Sequence, residues 1–365
     1  MMAKNILITG HNGYIGSVMV PVFVAAGYEV TGLDIGYFSD CTFVPDLVDV
    51  PWERKDVRDL EPADLENFDA VVHLAALSND PIGNLNATWT KEINLQASVR
   101  LARLARAAGV SRFLFSSSCI VYGMSETAVV NEDSPVNPQT EYARSKVRAE
   151  QAIAELAMDG FSPTFLRNGT VYGVSPRMRF DTVLNNLMGN AVATGEVILY
   201  GDGTPWRPVV HVQDVARAFL AVLEAPVTSV HNQVFNNGAE YLNHQIMELA
   251  ETVVGKVPDC GLAILSQPDA DQRTYKADFS KFESTFPEFR FEWTMEKGAQ
   301  QLYEIFEAIG LMDGDLFDRR FTRLRWLNYL LDEGLLDSSL RWRDRSAEEL
   351  SYDRRSQDHP VATDR

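Results

Sequence analysis

The sequence predicts a doubly wound α/β fold on three observations. Short runs are apolar throughout, longer segments of helical periodicity alternate with them, and glycines cluster where the first run gives way to the first helix. Runs apolar at every position suit strands buried on both faces, and helix-length spacers between them point to a parallel sheet. In order, the elements are the strand "NILITG", a helix over about 17–26, the strands "YEVTGLD" and "DAVVHLAAL", a helix through "NLQASVRLARLARAAG" and the strand "RFLFSSS". A helix over about 141–158 and the strand "SPTFLRNGTVYG" follow.

Beyond Gly173 the pattern loosens into "SPRMRF", "NNLM" and "GDGTPWRP", read as a smaller lobe grown from the strand ends. "HVQDVARAFLAVLEA" and "QVFNNG" return the chain to the sheet. The expected organisation is therefore interleaved: 1–173 rejoined by about 209–238, a lobe of 174–208 and 239–310, and a tail of 311–365. The tail carries Phe321, Leu324, Leu327 and Leu331 at helical spacing and is expected to be disordered beyond about Asp353.

With 365 residues and a formal net charge of -18, the chain has volume for an enclosed ligand site and a surface that disfavours nucleic acid and anionic membranes. Any phosphate would meet individually placed arginines. The cysteines Cys41, Cys119 and Cys260 are odd in number and far apart, which fits neither zinc nor a disulfide framework and suits a reducing cytoplasm. No apolar run approaches the roughly eighteen residues of a membrane span. A soluble cytoplasmic protein without a metal is expected.

Gly10, Gly13 and Gly16 of "GHNGYIG" follow a strand and open a helix, the context in which backbone N–H groups at a helix N-terminus meet a pyrophosphate. Asp34, at the end of the second strand, is placed to accept hydrogen bonds from an adenosine ribose; a carboxylate there repels a 2'-phosphate and favours NAD over NADP. In "EYARSK", Tyr142 and Lys146 lie one turn apart on one helix face, where an ammonium favours the phenolate. The serines of "FSSSCIVYG" end a strand at the carboxyl edge, where such sheets bind ligands.

Together these motifs resemble the extended short-chain dehydrogenase/reductase family, and within it the NAD-dependent nucleotide-sugar epimerases and dehydratases, over about 4–308. The resemblance implies a Rossmann-type sheet and NAD as cofactor. It places Gly10, Gly13, Tyr14, Ile15 and Gly16 at the pyrophosphate, Asp34 at the ribose, and Asp56 and Val57 at the adenine. Leu74, Ala75, Ala76 and Asn94 would stand beside the cofactor, and Ser118, Tyr142 and Lys146 would form the catalytic triad. In the lobe it implies substrate contacts from Asn186 of "NNLM" and from Arg207 and Arg273, arginines that would clamp a nucleotide diphosphate. It also implies a homodimer built on a four-helix bundle of the segments 94–108 and 141–158.

Departures narrow the chemistry. Thr170 stands where many relatives have Asn, so a substrate contact is lost or supplied by Asn168. Cys119-Ile120 replaces the Asp-Glu pair of the 4,6-dehydratases and the glutamate of the decarboxylases, and isoleucine transfers no proton. Cys119 itself is either a small buried hydrophobe or, as in the GDP-mannose 3,5-epimerases, a thiol that exchanges protons. The expected function is NAD-dependent 4-epimerisation of a nucleotide sugar through a 4-keto intermediate. A 4-ketoreductase, a 3,5-type epimerase using Cys119 and a non-catalytic nucleotide-sugar sensor are the alternatives.

Overall fold

In the computed structural model, the described residues are 4–45, 47–78, 80–125, 129–265, 273–316 and 318–343. The strands are β1 (Asn5–Thr9), β2 (Glu29–Asp34), β3 (Trp52–Arg54), β4 (Ala70–His73), β5 (Arg112–Ser118), β6 (Val129–Val130), β7 (Ser162–Asn168), β8 (Thr170–Tyr172), β9 (Glu196–Tyr200), β10 (Trp206–His211), β11 (Gln233–Asn237), β12 (Asn243–Gln245), β13 (Gly261–Leu265) and β14 (Lys276–Ala277). The longer helices are α1 (Gly16–Ala25), α2 (Ser98–Ala107), α3 (Glu141–Ala154), α4 (Val183–Thr194), α5 (Val212–Glu224), α6 (Ile246–Lys256), α7 (Met295–Ala308) and α8 (Arg323–Asp332).

Seven strands form one parallel sheet in the order β11-β7-β5-β4-β1-β2-β3. The order reverses between β1 and β4, and the carboxyl ends of these strands therefore border the crevice in which doubly wound sheets bind ligands. Every residue of β4 and β7 is buried, including the polar His73 at the end of β4 and Ser162, Thr164, Arg167 and Asn168 of β7, as strands covered on both faces require. On one face Met19 and Phe23 of α1 and Phe219 of α5 pack with Ile6, Ile8 and Leu114 of the sheet. A second core, formed by α4, α6 and α7 with Val209 of β10, fills the lobe.

Three elements differ from expectation. "SPTFLRNGTVYG" is not one strand: it breaks at Gly169, so that β7 stays in the main sheet while β8 pairs with β10, which also pairs with β12. A Cβ at Gly169 would stand 3.0 Å from the Pro208 carbonyl oxygen, so the absence of a side chain lets β10 approach closely at the break. The helix expected through 94–109 begins as a wide π-helical turn, Lys91–Ala97, before α2. α3 ends at Ala154, and Met158 instead bridges Phe161 in a turn.

Two compact units are present, Met1–Trp326 and Leu327–Arg365. The first includes the opening part of the segment beyond 311, with Phe321 in a 3₁₀ turn (Arg319–Phe321) that precedes α8. In the second, Leu336 and Trp342 form an antiparallel bridge, and Asp337 accepts hydrogen bonds from the Ser339 and Arg341 amides. The residues beyond 353, expected to be disordered, lie outside the described residues. No helix among the described residues is long and apolar enough to cross a membrane, and they hold no His, Cys, Asp and Glu cluster suited to a metal.

Candidate active site

One cavity of about 1440 Å³ runs along the carboxyl edge of the sheet into the lobe. Its cofactor-side wall holds Gly10, Gly13, Tyr14, Ile15 and Gly16. Gly10 adopts a left-handed φ of 74°, and a Cβ on it would stand 2.7 Å from the Ala75 amide nitrogen. On Gly16 a Cβ would stand 2.3 Å from the Gly10 carbonyl oxygen. No side chain caps α1; its Ser17, Val18 and Met19 amides donate to the Gly13 and Ile15 carbonyls, and the side-chain-free glycines let a pyrophosphate approach the backbone of the turn at the positive end of the helix. The residues present therefore fit a dinucleotide pyrophosphate.

Asp34 is held by the Gly36 amide at 2.7 Å and the Asn12 amide at 3.2 Å, which fixes its carboxylate at the cavity. Asp56 and Val57 line the next stretch, with Asp56 chelated by Arg58 through Nε at 2.9 Å and Nη2 at 2.5 Å. Leu74, Ala75 and Ala76 complete this wall. Asn94 does not line the cavity. It is fully buried behind it, where its Oδ1 accepts from the Leu77 amide at 2.8 Å and its Nδ2 donates to the Leu77 carbonyl at 3.0 Å.

That clamp belongs to a longer chain. The Ser98 hydroxyl donates to the Asn94 carbonyl at 2.7 Å, so His73 Nε2 carries the proton that Ser98 Oγ accepts at 2.7 Å. His73 Nδ1 is then the acceptor of the Thr9 hydroxyl at 2.7 Å. Burial drives the His73 pKa down to about 3, which keeps the ring neutral and this order of donors intact.

Ser118, Tyr142 and Lys146 all line the cavity. Ser118 ends β5, and its hydroxyl accepts from the Ile120 amide at 3.3 Å. Tyr142 and Lys146 sit in the first turns of α3, whose start is capped by Thr140. The Lys146 ammonium donates to the Ser116 carbonyl at 2.7 Å and lies 4.7 Å from the Phe115 ring centroid and 5.8 Å from that of Tyr142. Burial lowers its pKa to about 8, partly opposed by the Glu150 carboxylate.

Cys119 does not line the cavity. Its Sγ points inward, donating to the Arg167 carbonyl at 3.1 Å, and burial raises its pKa, so no thiolate faces a substrate. The residue that lines the cavity at this place is Ile120. The choice left open in the sequence falls to the small buried hydrophobe, because Cys119 and Ile120 sit in a 3₁₀ turn (Cys119–Tyr122), where successive side chains point about 120° apart and only Ile120 faces the cavity.

Asn168, Thr170, Asn186, Arg207 and Arg273 line the lobe end. Asn168 Nδ2 donates to Ser116 Oγ at 3.0 Å, tying the ends of β7 and β5 together. Asn186 donates to the Phe180 carbonyl at 3.0 Å. Arg207 Nη1 donates to the backbone carbonyl of Arg273, which brings the two residues to one stretch of the wall. Sequence reasoning missed Arg179 and Arg323, both buried and both lining the cavity. Arg179 was visible in "SPRMRF" as a basic residue in the first loop of the lobe; nothing in the sequence ties Arg323 to the site.

Comparison with known proteins identifies the family. The model of the NAD dependent epimerase/dehydratase family matches residues 6–238. A UDP-glucose 4-epimerase of Corynebacterium glutamicum is 30% identical over 270 residues, covering 68% of this chain and 80% of that protein. One of Bacillus subtilis is 31% identical over 281 residues, covering 69% and 82%. Among solved structures, MoeE5 in complex with UDP-glucuronic acid and NAD superposes with a TM-score of 0.73 at 28% identity, covering 84% of this chain and 100% of that one. The chain belongs to the NAD-dependent epimerase/dehydratase family, of the extended short-chain dehydrogenase/reductase type, and its cofactor is NAD.

Proposed function

We propose that this protein inverts the configuration at C4 of a nucleotide-activated sugar through a transient 4-keto intermediate. The family fixes the coarser class, an enzyme of nucleotide-sugar epimerase/dehydratase type. The finer reading rests on one observation: beside Ser118 and Tyr142 the cavity wall is Ile120, with Cys119 turned away. Elimination of water or loss of a carboxyl group needs a proton donor or acceptor there, and a hydrocarbon supplies neither.

NAD, when bound, is the hydride acceptor and donor and ends each cycle unchanged. Tyr142 Oη, as phenolate, takes the proton of the C4 hydroxyl and returns it to the new one. Lys146 keeps the phenolate charged and the Ser118 hydroxyl donates to the reacting oxygen. Arg207 and Arg273 hold the substrate diphosphate, so that the sugar turns over without leaving.

Replacing Tyr142 with Phe should cut turnover of UDP-glucose or UDP-N-acetylglucosamine by roughly a hundredfold to ten-thousandfold, the usual worth of a positioned acid-base group, while NAD stays bound. Product analysis by chromatography reads the rate, and an undiminished rate would refute the reading. A 4-ketoreductase uses the same residues but consumes one reduced cofactor per turnover. Stoichiometric loss of reduced-nicotinamide absorbance would replace the epimerase reading with that one.

A further inference from the structure

We infer that Arg323, carried into the cavity at the start of α8, is a binding residue for the diphosphate of the dinucleotide. The inference extends the cofactor site and does not depend on which sugar reaction the enzyme runs.

Three observations carry it. Arg323 is 4% exposed, lines the cavity, and its Nη1 is buried without a hydrogen-bond partner. Burying a guanidinium in this way is unfavourable unless an anion reaches it. The neighbouring Asp181 carboxylate is already engaged: it accepts from Arg179 Nε at 2.8 Å and Nη2 at 3.2 Å, and from Arg323 it accepts the backbone amide at 3.4 Å. Burial and the neighbouring Arg179 lower the Arg323 pKa to about 10, as expected of surplus positive charge. An oxygen acceptor is missing, and a diphosphate supplies one with the charge to match.

The surroundings say which diphosphate. Arg323 Nη2 donates to the Arg177 carbonyl at 2.7 Å, and Arg177 Nε donates to Asn12 Oδ1 at 2.9 Å, inside the glycine loop. The Arg323 guanidinium lies 4.2 Å from the ring centroid of Phe38, just beyond Asp34. On either side the segment is pinned: Phe321 packs edge-on against Phe43 at 5.2 Å, and Trp326 Nε1 donates to the Tyr37 carbonyl at 2.6 Å. These contacts put Arg323 at the dinucleotide end, whereas Arg207 and Arg273 stand in the lobe.

Two experiments test this without sugar turnover, so their failure is distinct from failure of the 4-epimerase reading. Titration of NAD, and separately of UDP, into NAD-stripped wild-type and Arg323→Met protein compares the two diphosphate sites. The variant should bind NAD at least about tenfold more weakly and UDP within about twofold of wild type. Unchanged NAD affinity overturns the proposal, and so does a loss confined to UDP, which would give the guanidinium to the substrate. In the wild-type protein, NAD should slow tryptic cleavage after Arg319, Arg320 and Arg325, whereas UDP should not. Equal cleavage with and without NAD overturns the proposal even where the variant fails to fold.

Discussion

Lys146 shows how one side chain ties stability to chemistry. Its ammonium is buried against Phe115 and receives one carbonyl, that of Ser116, so the folded state holds the proton less tightly than the unfolded chain. With the pKa lowered from 10.5 to about 8, the cost is full below pH 8 and is relieved as the pH rises from 8 toward 10.5. That relief amounts to roughly 3 kcal/mol by the linkage of pKa to free energy. Unfolding by urea at neutral pH and above pH 10 should show wild type gaining this increment relative to Lys146→Met; parallel behaviour would mean that Lys146 is not a buried cation. The sequence made the Tyr142–Lys146 pair legible through its four-residue spacing. It could not show the burial, because Phe115 and Ser116 arrive from β5, distant along the chain.

Among the elements, the π-helical turn Lys91–Ala97 decides most about the site. Such turns are uncommon and often mark functional places. Here Asn94 is fully buried, with its side chain clamped to both polar backbone groups of Leu77. Replacing Asn94 with Ala would leave the Leu77 N–H and C=O without these partners, at a cost of about 2–4 kcal/mol. Thermal unfolding should show that loss, and NAD titration should show weaker binding, because the freed loop carries Ala75 and Ala76 along the cavity. Normal NAD affinity in a destabilised variant would reduce Asn94 to a purely structural residue. Periodicity found a helix here but not its wider turn, since apolar spacing records which face is buried and not which carbonyl each N–H meets. It likewise ran β7 and β8 together, since both halves are β-rich and Gly169 marks the break only once Pro208 of β10 is seen against it.

At the scale of the whole molecule, a cluster of aromatic rings within the first unit ties the 3₁₀ turn Arg319–Phe321 to residues far earlier in the chain. Phe321 meets Phe43 and Phe180 edge-on at 5.2 and 5.9 Å, and its carbonyl accepts from the Phe180 amide at 2.9 Å. Truncation of Phe321 to Ala should cost about 3–5 kcal/mol in urea unfolding, through lost contacts and the cavity left behind. It should also weaken NAD binding, because Arg323 is two residues away. Loss of stability with unaltered NAD affinity would separate the aromatic anchor from the ligand site.

By itself the sequence determined the parallel sheet, the glycine turn between β1 and α1 and the acidic end of β2, which are written in local patterns where a strand or a turn forms from neighbouring residues; its resemblance to a family singled out Ser118, Tyr142, Lys146, Arg207 and Arg273, all of which line the cavity. The tertiary structure alone decided that Cys119 turns inward while Ile120 lines the cavity, that Asn94 is clamped to Leu77 behind the wall, and that Arg323 lines the cavity with Nη1 buried and unpartnered. Those outcomes depend on where distant segments pack, and on which buried polar atom finds a partner when they do.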